Sequence, residues 1–208
     1  MTRAEFEQLL KNNEKRTATV RERAHRAHHL VNQHYDRTHP YGLHLDMVAG
    51  FVFEYGHHVL RSAEELPALI FAAYFHDAIE DARLSYNDML QLARVLVGDS
   101  HAVLATEIIY ALTNEKGRTR AERANDAYYA GIRSTPYAPF VKMADRLANA
   151  TYSRTMSHKS TDSHRMLGVY SRELPHFLEA ISGDGVADGR LAIPAEMIDR
   201  LRQTLVRD

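Results

Sequence analysis

The spacing of apolar and polar residues predicts helices along nearly the whole chain. Over residues 44–60, Leu45, Val48 and Val52 recur at intervals of three and four, which places them on one face of a helix. Similar spacing predicts helices over residues 2–15, 16–35, 65–81, 86–97, 100–113, 140–152, 163–182 and 194–206. The alternating pattern of a half-buried strand does not stand out. The sequence therefore predicts an all-α fold.

The same pattern predicts how the chain is organised. A chain of 208 residues is long enough to bury one sizeable core. Residues 1–182 are predicted to form a single helical domain. Residues 183–208 comprise a loop rich in glycine and aspartate and a helix opened by Pro194. This C-terminal segment is predicted to be appended to the same domain.

Composition narrows the classes of function. The formal net charge is −1, which offers no basic surface for nucleic acid or for an anionic membrane. No apolar run approaches the roughly 20 residues that cross a bilayer, and the N-terminal residues lack the apolar core of a secretory signal. Cysteine is absent, which rules out disulfides and thiolate chemistry. We expect a cytoplasmic protein without nucleic-acid or membrane partners, and leave open whether it forms a homo-oligomer.

The stretch AAYFHDAIEDARL, residues 72–84, carries the first chemical feature. If it is a helix, then His76, Asp77, Glu80 and Asp81 lie close together, because residues three and four apart share a face. The preceding LIFAAYF is too apolar for a solvated acidic patch. Burying an ionised carboxylate without a partner costs several kcal/mol. The sequence therefore predicts a counter-charge, for which a metal ion is the simplest candidate.

Two further segments offer ligands for such an ion. His44 stands near the start of one predicted helix, and Asp145 lies one turn before Asn149 on another. Together with His76 and Asp77 they supply two imidazoles and two carboxylates, a set that suits Mn, Fe, Zn or Mg. The alternatives are a core histidine at position 44 and an Asp145 paired with a nearby arginine. The remaining histidine clusters, His25, His28, His29, His57 and His58, are expected at the surface.

Three motifs resemble those of a known family. YFHDAIEDA, FVKMADRLANA and HPYGLHLDMVA are similar to segments of the HD-domain metal-dependent phosphohydrolases. Among these, the chain most resembles the stand-alone RelA/SpoT-type alarmone hydrolases. The resemblance covers about residues 20–180. It implies an HD-domain helical bundle.

The resemblance also implies a mechanism. His44, His76, Asp77 and Asp145 would hold one divalent ion, with Mn favoured over Fe, Zn or Mg. Glu80 and Asp81 would position and activate the attacking water. The reaction would remove the 3′-pyrophosphate of guanosine tetra- or pentaphosphate. The residues expected to contact this nucleotide are Asn149, Lys142, Arg146, Tyr170 and Arg37.

The sequence departs from the family pattern near the first histidine. Leu45 replaces a proline, and YDRTHP replaces a basic, glycine-containing loop. Alternative substrates are therefore a nucleoside mono- or triphosphate or NADPH. An inactive nucleotide-binding HD module and a purely structural helical protein are the rival classes, which metal content would help to separate. The basic segment 116–123 is either a solvated face or a phosphate-binding loop.

Overall fold

The computed structural model describes residues 1–114, 119–182 and 188–206, with only the backbone described at 120 and 121. The α-helices are α1 Arg3–Asn12, α2 Glu14–Leu30, α3 Gly42–Tyr55, α4 Leu66–Phe75, α5 Tyr86–Val97, α6 Asp99–Leu112, α7 Arg120–Arg123, α8 Asp126–Ser134, α9 Ala138–Met156, α10 Thr161–Ile181 and α11 Ala195–Leu205. Short 3₁₀ turns span Gly56–His58, Ala63–Glu65 and Gly189–Leu191. These described residues form no strand, so the all-α prediction is confirmed.

Helix α4 lies at the centre of the molecule. Every residue from Leu66 to Phe75 is buried, and α2, α3, α5 and α6 all pack against this helix. Pro67 falls in its first turn, where the missing N–H costs no intrahelical hydrogen bond. The second buried helix is α9, which contacts α3, α10 and α11. The chemistry predicted from the sequence therefore falls where α3, α9 and the end of α4 meet.

The C-terminal helix shares this core. Met197, Leu201 and Leu205 of α11 are buried and belong to the same hydrophobic cluster as α4 and α9. Before α11, an Arg190 guanidinium N–H donates to Glu65 Oε1 at 2.9 Å. Residues 183–187 of the predicted loop lie outside the described residues, and the division at residue 182 stays a prediction.

The predicted helix 65–81 is too long by one and a half turns. The α-helix ends at Phe75, and residues 76–81 form consecutive tight turns. Two contacts end it: the His76 ring hydrogen bonds to the Ala73 carbonyl, and the Ala78 N–H donates to the carbonyl of Phe75, only three residues back. Arg83 then reverses the chain with a φ of 61°. The acidic residues consequently lie on a turn rather than on one helical face.

The predicted helix 16–35 also ends early. Helix α2 stops at Leu30, and Asn32 adopts a φ of 56°, a left-handed conformation that asparagine tolerates. Residues 31–41 then fold back as a loop, in which the Asp36 carboxylate accepts the backbone N–H groups of Thr38 and His39. This segment, called the 31–41 loop below, runs directly into α3.

Other predicted boundaries move by a few residues. The helix predicted over 44–60 runs from Gly42 to Tyr55, and the one over 140–152 extends to Ala138–Met156. The expectation that His28 is exposed is wrong, because its side chain is buried and its ring stacks on that of Tyr41. Among the described residues, no helix is long and apolar enough to cross a membrane.

Candidate metal centre

Three elements bring the predicted ligands together. His44 lies in the first turn of α3, His76 follows the last residue of α4, and Asp145 lies in the middle of α9. All three side chains are buried, with relative exposures of 1%, 2% and 8%. One donor atom from each lies within 4.8 Å of the others. Within the described part of the chain, this is the group whose geometry could hold a metal ion.

The donor atoms converge on one point. The Nε2 atoms of His44 and His76 are 3.2 Å apart, and His44 Nε2 is 3.4 Å from Asp145 Oδ1. Asp77 Oδ2 lies 2.9 Å from His76 Nε2 and 3.3 Å from His44 Nε2. Asp77 thus adjoins the buried trio, and its role as a fourth ligand stays a prediction.

A backbone contact fixes the orientation of His76. Its Nδ1 lies 3.0 Å from the Ala73 carbonyl oxygen, which can only accept a hydrogen bond. Nδ1 therefore carries the proton, and in the neutral ring Nε2 presents its lone pair to the centre. Histidines that bind metals are commonly oriented by a carbonyl in this way.

The charges in the centre are strongly coupled. Burial disfavours the imidazolium of His44, but hydrogen bonds to Asp145 and Asp77 outweigh it and raise the pKa of His44 to about 9. Burial would raise the pKa of Asp145, yet the charge of Lys142 holds that pKa below its usual range. The carboxylates of Asp145 and Asp77 therefore stay ionised and require positive charge between them. A proton on His44 meets part of this need, and a divalent cation would meet it more fully.

The donor set fits a divalent cation. Two imidazole nitrogens and carboxylate oxygens are the ligands that Zn, Fe and Mn share, whereas all-oxygen sets favour Mg and Ca. The residues present therefore suit the ion predicted from the sequence, although they do not identify the metal. Comparisons with protein-family models, curated proteins and solved structures gave no match for this chain.

Glu80 and Asp81 lie beside the centre. Glu80 accepts a hydrogen bond from the Asn114 backbone N–H at 3.2 Å and pairs with an Arg123 guanidinium nitrogen at 3.2 Å. Burial raises the pKa of Glu80, and burial also raises that of Asp81, with the charge of Asp77 adding to both. A carboxylate with a raised pKa is suited to exchange a proton near neutral pH.

The predicted nucleotide contacts fall into two groups. Lys142 Nζ donates to Asp145 Oδ2 at 2.9 Å, and Asn149 Nδ2 donates to Asp145 Oδ1 at 2.6 Å, so both touch the metal centre directly. Arg146 pairs with Glu173 at 2.9 Å and lies over the ring of Tyr170, with its central carbon 4.8 Å from the ring centroid.

Arg37, the fifth of the residues predicted to contact the nucleotide, is exposed on the 31–41 loop. None of the contacts described around the centre involves its side chain. The loop brings Tyr35 against the centre, and the role of Arg37 stays a prediction.

A cavity of about 540 Å³ opens beside the centre. Its size is in the range of small-molecule sites. Three of its cations are already paired with carboxylates, through the contacts of Lys142, Arg146 and Arg123 given above. The lining residues are Glu80, Asn114, Arg123, Ala124, Tyr128, Tyr129, Lys142, Arg146, Glu173, His176 and Phe177.

Arg123 belongs to the basic segment whose role the sequence left open. Its contact with Glu80 places it at the cavity, where its side chain is still partly exposed. Residues 115–118 and the side chains of residues 120 and 121 lie outside what the structure describes, so the expectation for the rest of that segment is not addressed.

Sequence reasoning missed two tyrosines at the centre. The Tyr41 hydroxyl donates to Asp77 Oδ2 at 2.6 Å, and the Tyr35 hydroxyl donates to Asn149 Oδ1 at 2.8 Å. Tyr41 could have been found, because it lies one turn before His44. Tyr35 could not, because the pattern placed it on a helix that ends at Leu30.

The raised pKa of His44 predicts a pH-dependent stability of the metal-free protein. A folded-state pKa of about 9, against 6.5 in the unfolded chain, stabilises the fold fully below pH 6.5. This contribution is lost as pH rises through 9 and amounts to at most about 3 kcal/mol. Urea unfolding with a chelator present should show the decline between pH 6.5 and 9. His44→Gln should flatten it; an unchanged slope in that variant would contradict the assignment.

Proposed function

We propose that this protein is a metal-dependent phosphohydrolase acting on a nucleotide. The observation that carries the proposal is the buried group of His44, His76 and Asp145 beside a partly buried Glu80. A nucleotide-sized cavity adjoins it, and Lys142 links the two by donating to Asp145. The motif resemblance to HD-domain phosphohydrolases points to the same reaction class.

The residues divide the chemistry between them. His44, His76 and Asp145 would hold a divalent cation, with Asp77 as the expected fourth ligand, and such an ion would supply Lewis acidity and lower the pKa of water. Glu80 accepts a proton from the attacking water, and Asp81 orients that water. The water oxygen bonds to phosphorus, the bond from phosphorus to the ester oxygen breaks, and that oxygen takes up a proton. Lys142 and Arg146 stabilise negative charge on the phosphoryl oxygens.

The first substrate to test is guanosine tetraphosphate. Hydrolysis at its 3′ position consumes one water and yields GDP and pyrophosphate. The resemblance to alarmone hydrolases supports this choice, with Mn²⁺ as the metal and the cytoplasm as the location. Three aspects of the chain favour a second candidate with fewer phosphates: the paired cations of the cavity, the exposed Arg37, and an acidic Asp36 in the 31–41 loop. Such a substrate would be a nucleoside monophosphate.

The test is phosphate and pyrophosphate release with Mn²⁺ from guanosine tetraphosphate, nucleoside mono- and triphosphates and NADPH. Pyrophosphate from the tetraphosphate alone supports the alarmone assignment, whereas phosphate from a monophosphate supports the second candidate. Activity with neither, but with nucleotide-dependent stabilisation, would favour a binding module. No metal uptake and no stabilisation by metal would favour a structural helical protein and overturn the proposal.

A further inference from the structure

Tyr41 contacts a predicted ligand through its hydroxyl. The phenol donates to Asp77 Oδ2 at 2.6 Å, and this is the same carboxylate oxygen that faces the two histidine Nε2 atoms. The imidazoles of His76 and His44 overcome the effect of burial and hold the pKa of Asp77 well below its usual range. The carboxylate is therefore an acceptor, and Tyr41 must be the donor.

The ring of Tyr41 is held in place from behind. It stacks on the ring of His28 with centroids 4.6 Å apart and planes inclined by 13°. His28 is buried, and neither of its ring nitrogens has a hydrogen-bond partner among the described residues. Its described role is therefore packing. Since Tyr41 is the residue directly before α3, its hydroxyl is fixed relative to the ligands by backbone and by ring stacking.

Tyr35 acts on the carboxylate of Asp145 through the side-chain amide of Asn149. Its hydroxyl donates to Asn149 Oδ1, which leaves Asn149 Nδ2 to donate to Asp145 Oδ1 at 2.6 Å. An amide rotated by half a turn would place its oxygen against the carboxylate, so the phenol favours the productive orientation. The ring of Tyr35 also stacks on His44 with centroids 4.9 Å apart.

Both tyrosines come from the 31–41 loop, so one short segment contacts Asp77 directly and reaches Asp145 through Asn149. Groups that hydrogen bond to metal ligands orient them, and their removal typically weakens metal affinity about 10- to 100-fold. We propose that Tyr41 and Tyr35 are positioning residues that set the carboxylates of Asp77 and Asp145 for metal binding. This inference rests on the proposed function, because it requires that the centre binds a metal.

The experiment titrates the 208-residue chain with Mn²⁺ in the absence of substrate and measures free Mn²⁺ by electron paramagnetic resonance. Tyr41→Phe removes only the hydroxyl, which donates to Asp77 and also contacts Asp81, and should raise the Kd for Mn²⁺ about 10- to 100-fold. Tyr35→Phe acts one residue further from the ligand and should raise it about 10-fold. Tyr86→Phe is the matched control, because its hydroxyl also donates to a carboxylate, that of Glu107, at the surface. Its Kd should be unchanged.

Thermal unfolding with a chelator separates positioning from general stability. The metal-free variants should unfold close to the temperature of the unsubstituted protein, while the increase that Mn²⁺ produces shrinks. If Mn²⁺ binds the parent and both phenylalanine variants equally, the inference fails and the proposed function stands. If the parent binds neither Mn²⁺ nor Fe²⁺, Zn²⁺ or Mg²⁺, both fail.

Discussion

Asp77→Ala is expected to abolish metal binding and hydrolysis together. The substitution removes a carboxylate whose Oδ2 lies 2.9 Å from His76 Nε2 and 3.3 Å from His44 Nε2. Without it, the centre loses one of its two negative charges and the acceptor for Tyr41. Titration with Mn²⁺ should show no saturable binding at concentrations that fill the unsubstituted protein, and turnover should fall to background.

Asp77 is a sharper target than Asp145 for this test. Removing Asp145 would leave the half-buried ammonium of Lys142 without its carboxylate, which endangers the fold. Asp77 has no such lysine contact and is more exposed. Asp188→Ala is the matched control, since it removes a carboxylate paired with Arg190 near the C-terminal helix. Normal Mn²⁺ binding by Asp77→Ala would exclude Asp77 as a ligand.

Much of the fold was predictable because helical burial leaves a regular trace in sequence. The run from Leu66 to Phe75 is buried on all sides, as its uninterrupted apolar composition indicates. The same spacing applies to His28, whose burial was not predicted. It follows Val20 and Ala24 at intervals of four, and all three are buried on one face of α2. The expectation that His28 is exposed rested on the clustering of the histidines and not on this spacing.

The end of α4 could not be predicted in the same way. Periodicity continues through Ala78 and Ile79, so nothing in the apolar pattern separates a helix from a series of tight turns. At the end of the helix the side chain of His76 hydrogen bonds to the carbonyl of Ala73, and its Nε2 faces His44 of α3. A contact between segments so distant in sequence leaves no periodic signal.

The ligand types of the candidate centre were predictable from the sequence, but the residues that hydrogen bond to the side chains around it were not. Two histidines and two aspartates embedded in apolar helices require a common counter-charge, whichever way the helices pack. The partners of these residues arise from contacts distant in sequence: Tyr35 with Asn149 and Arg123 with Glu80. Such pairings depend on where loops fall, and residues 31–35 of the 31–41 loop were predicted as part of a helix.

Glu80→Gln is expected to retain the metal and lose turnover. The glutamine keeps the shape of the side chain and an oxygen that accepts the Asn114 N–H, but it cannot take a proton from water. Burial raises the pKa of Glu80, which suits a group that accepts a proton and then returns it. Loss of a general base typically lowers kcat by about 10²- to 10⁴-fold. Mn²⁺ affinity should stay within the range of the parent.

Measuring both Mn²⁺ affinity and kcat distinguishes three roles for Glu80: a general base, a metal ligand, or neither. A fall in Mn²⁺ affinity equal to that of Asp77→Ala would place Glu80 among the ligands, whereas full activity would remove it from the reaction. Glu107→Gln provides the control, because Glu107 is exposed and accepts from Tyr86 on the outer surface of α6. Only retained metal with lost turnover fits a carboxylate that adjoins the centre, faces the cavity and is held there by Asn114 and Arg123.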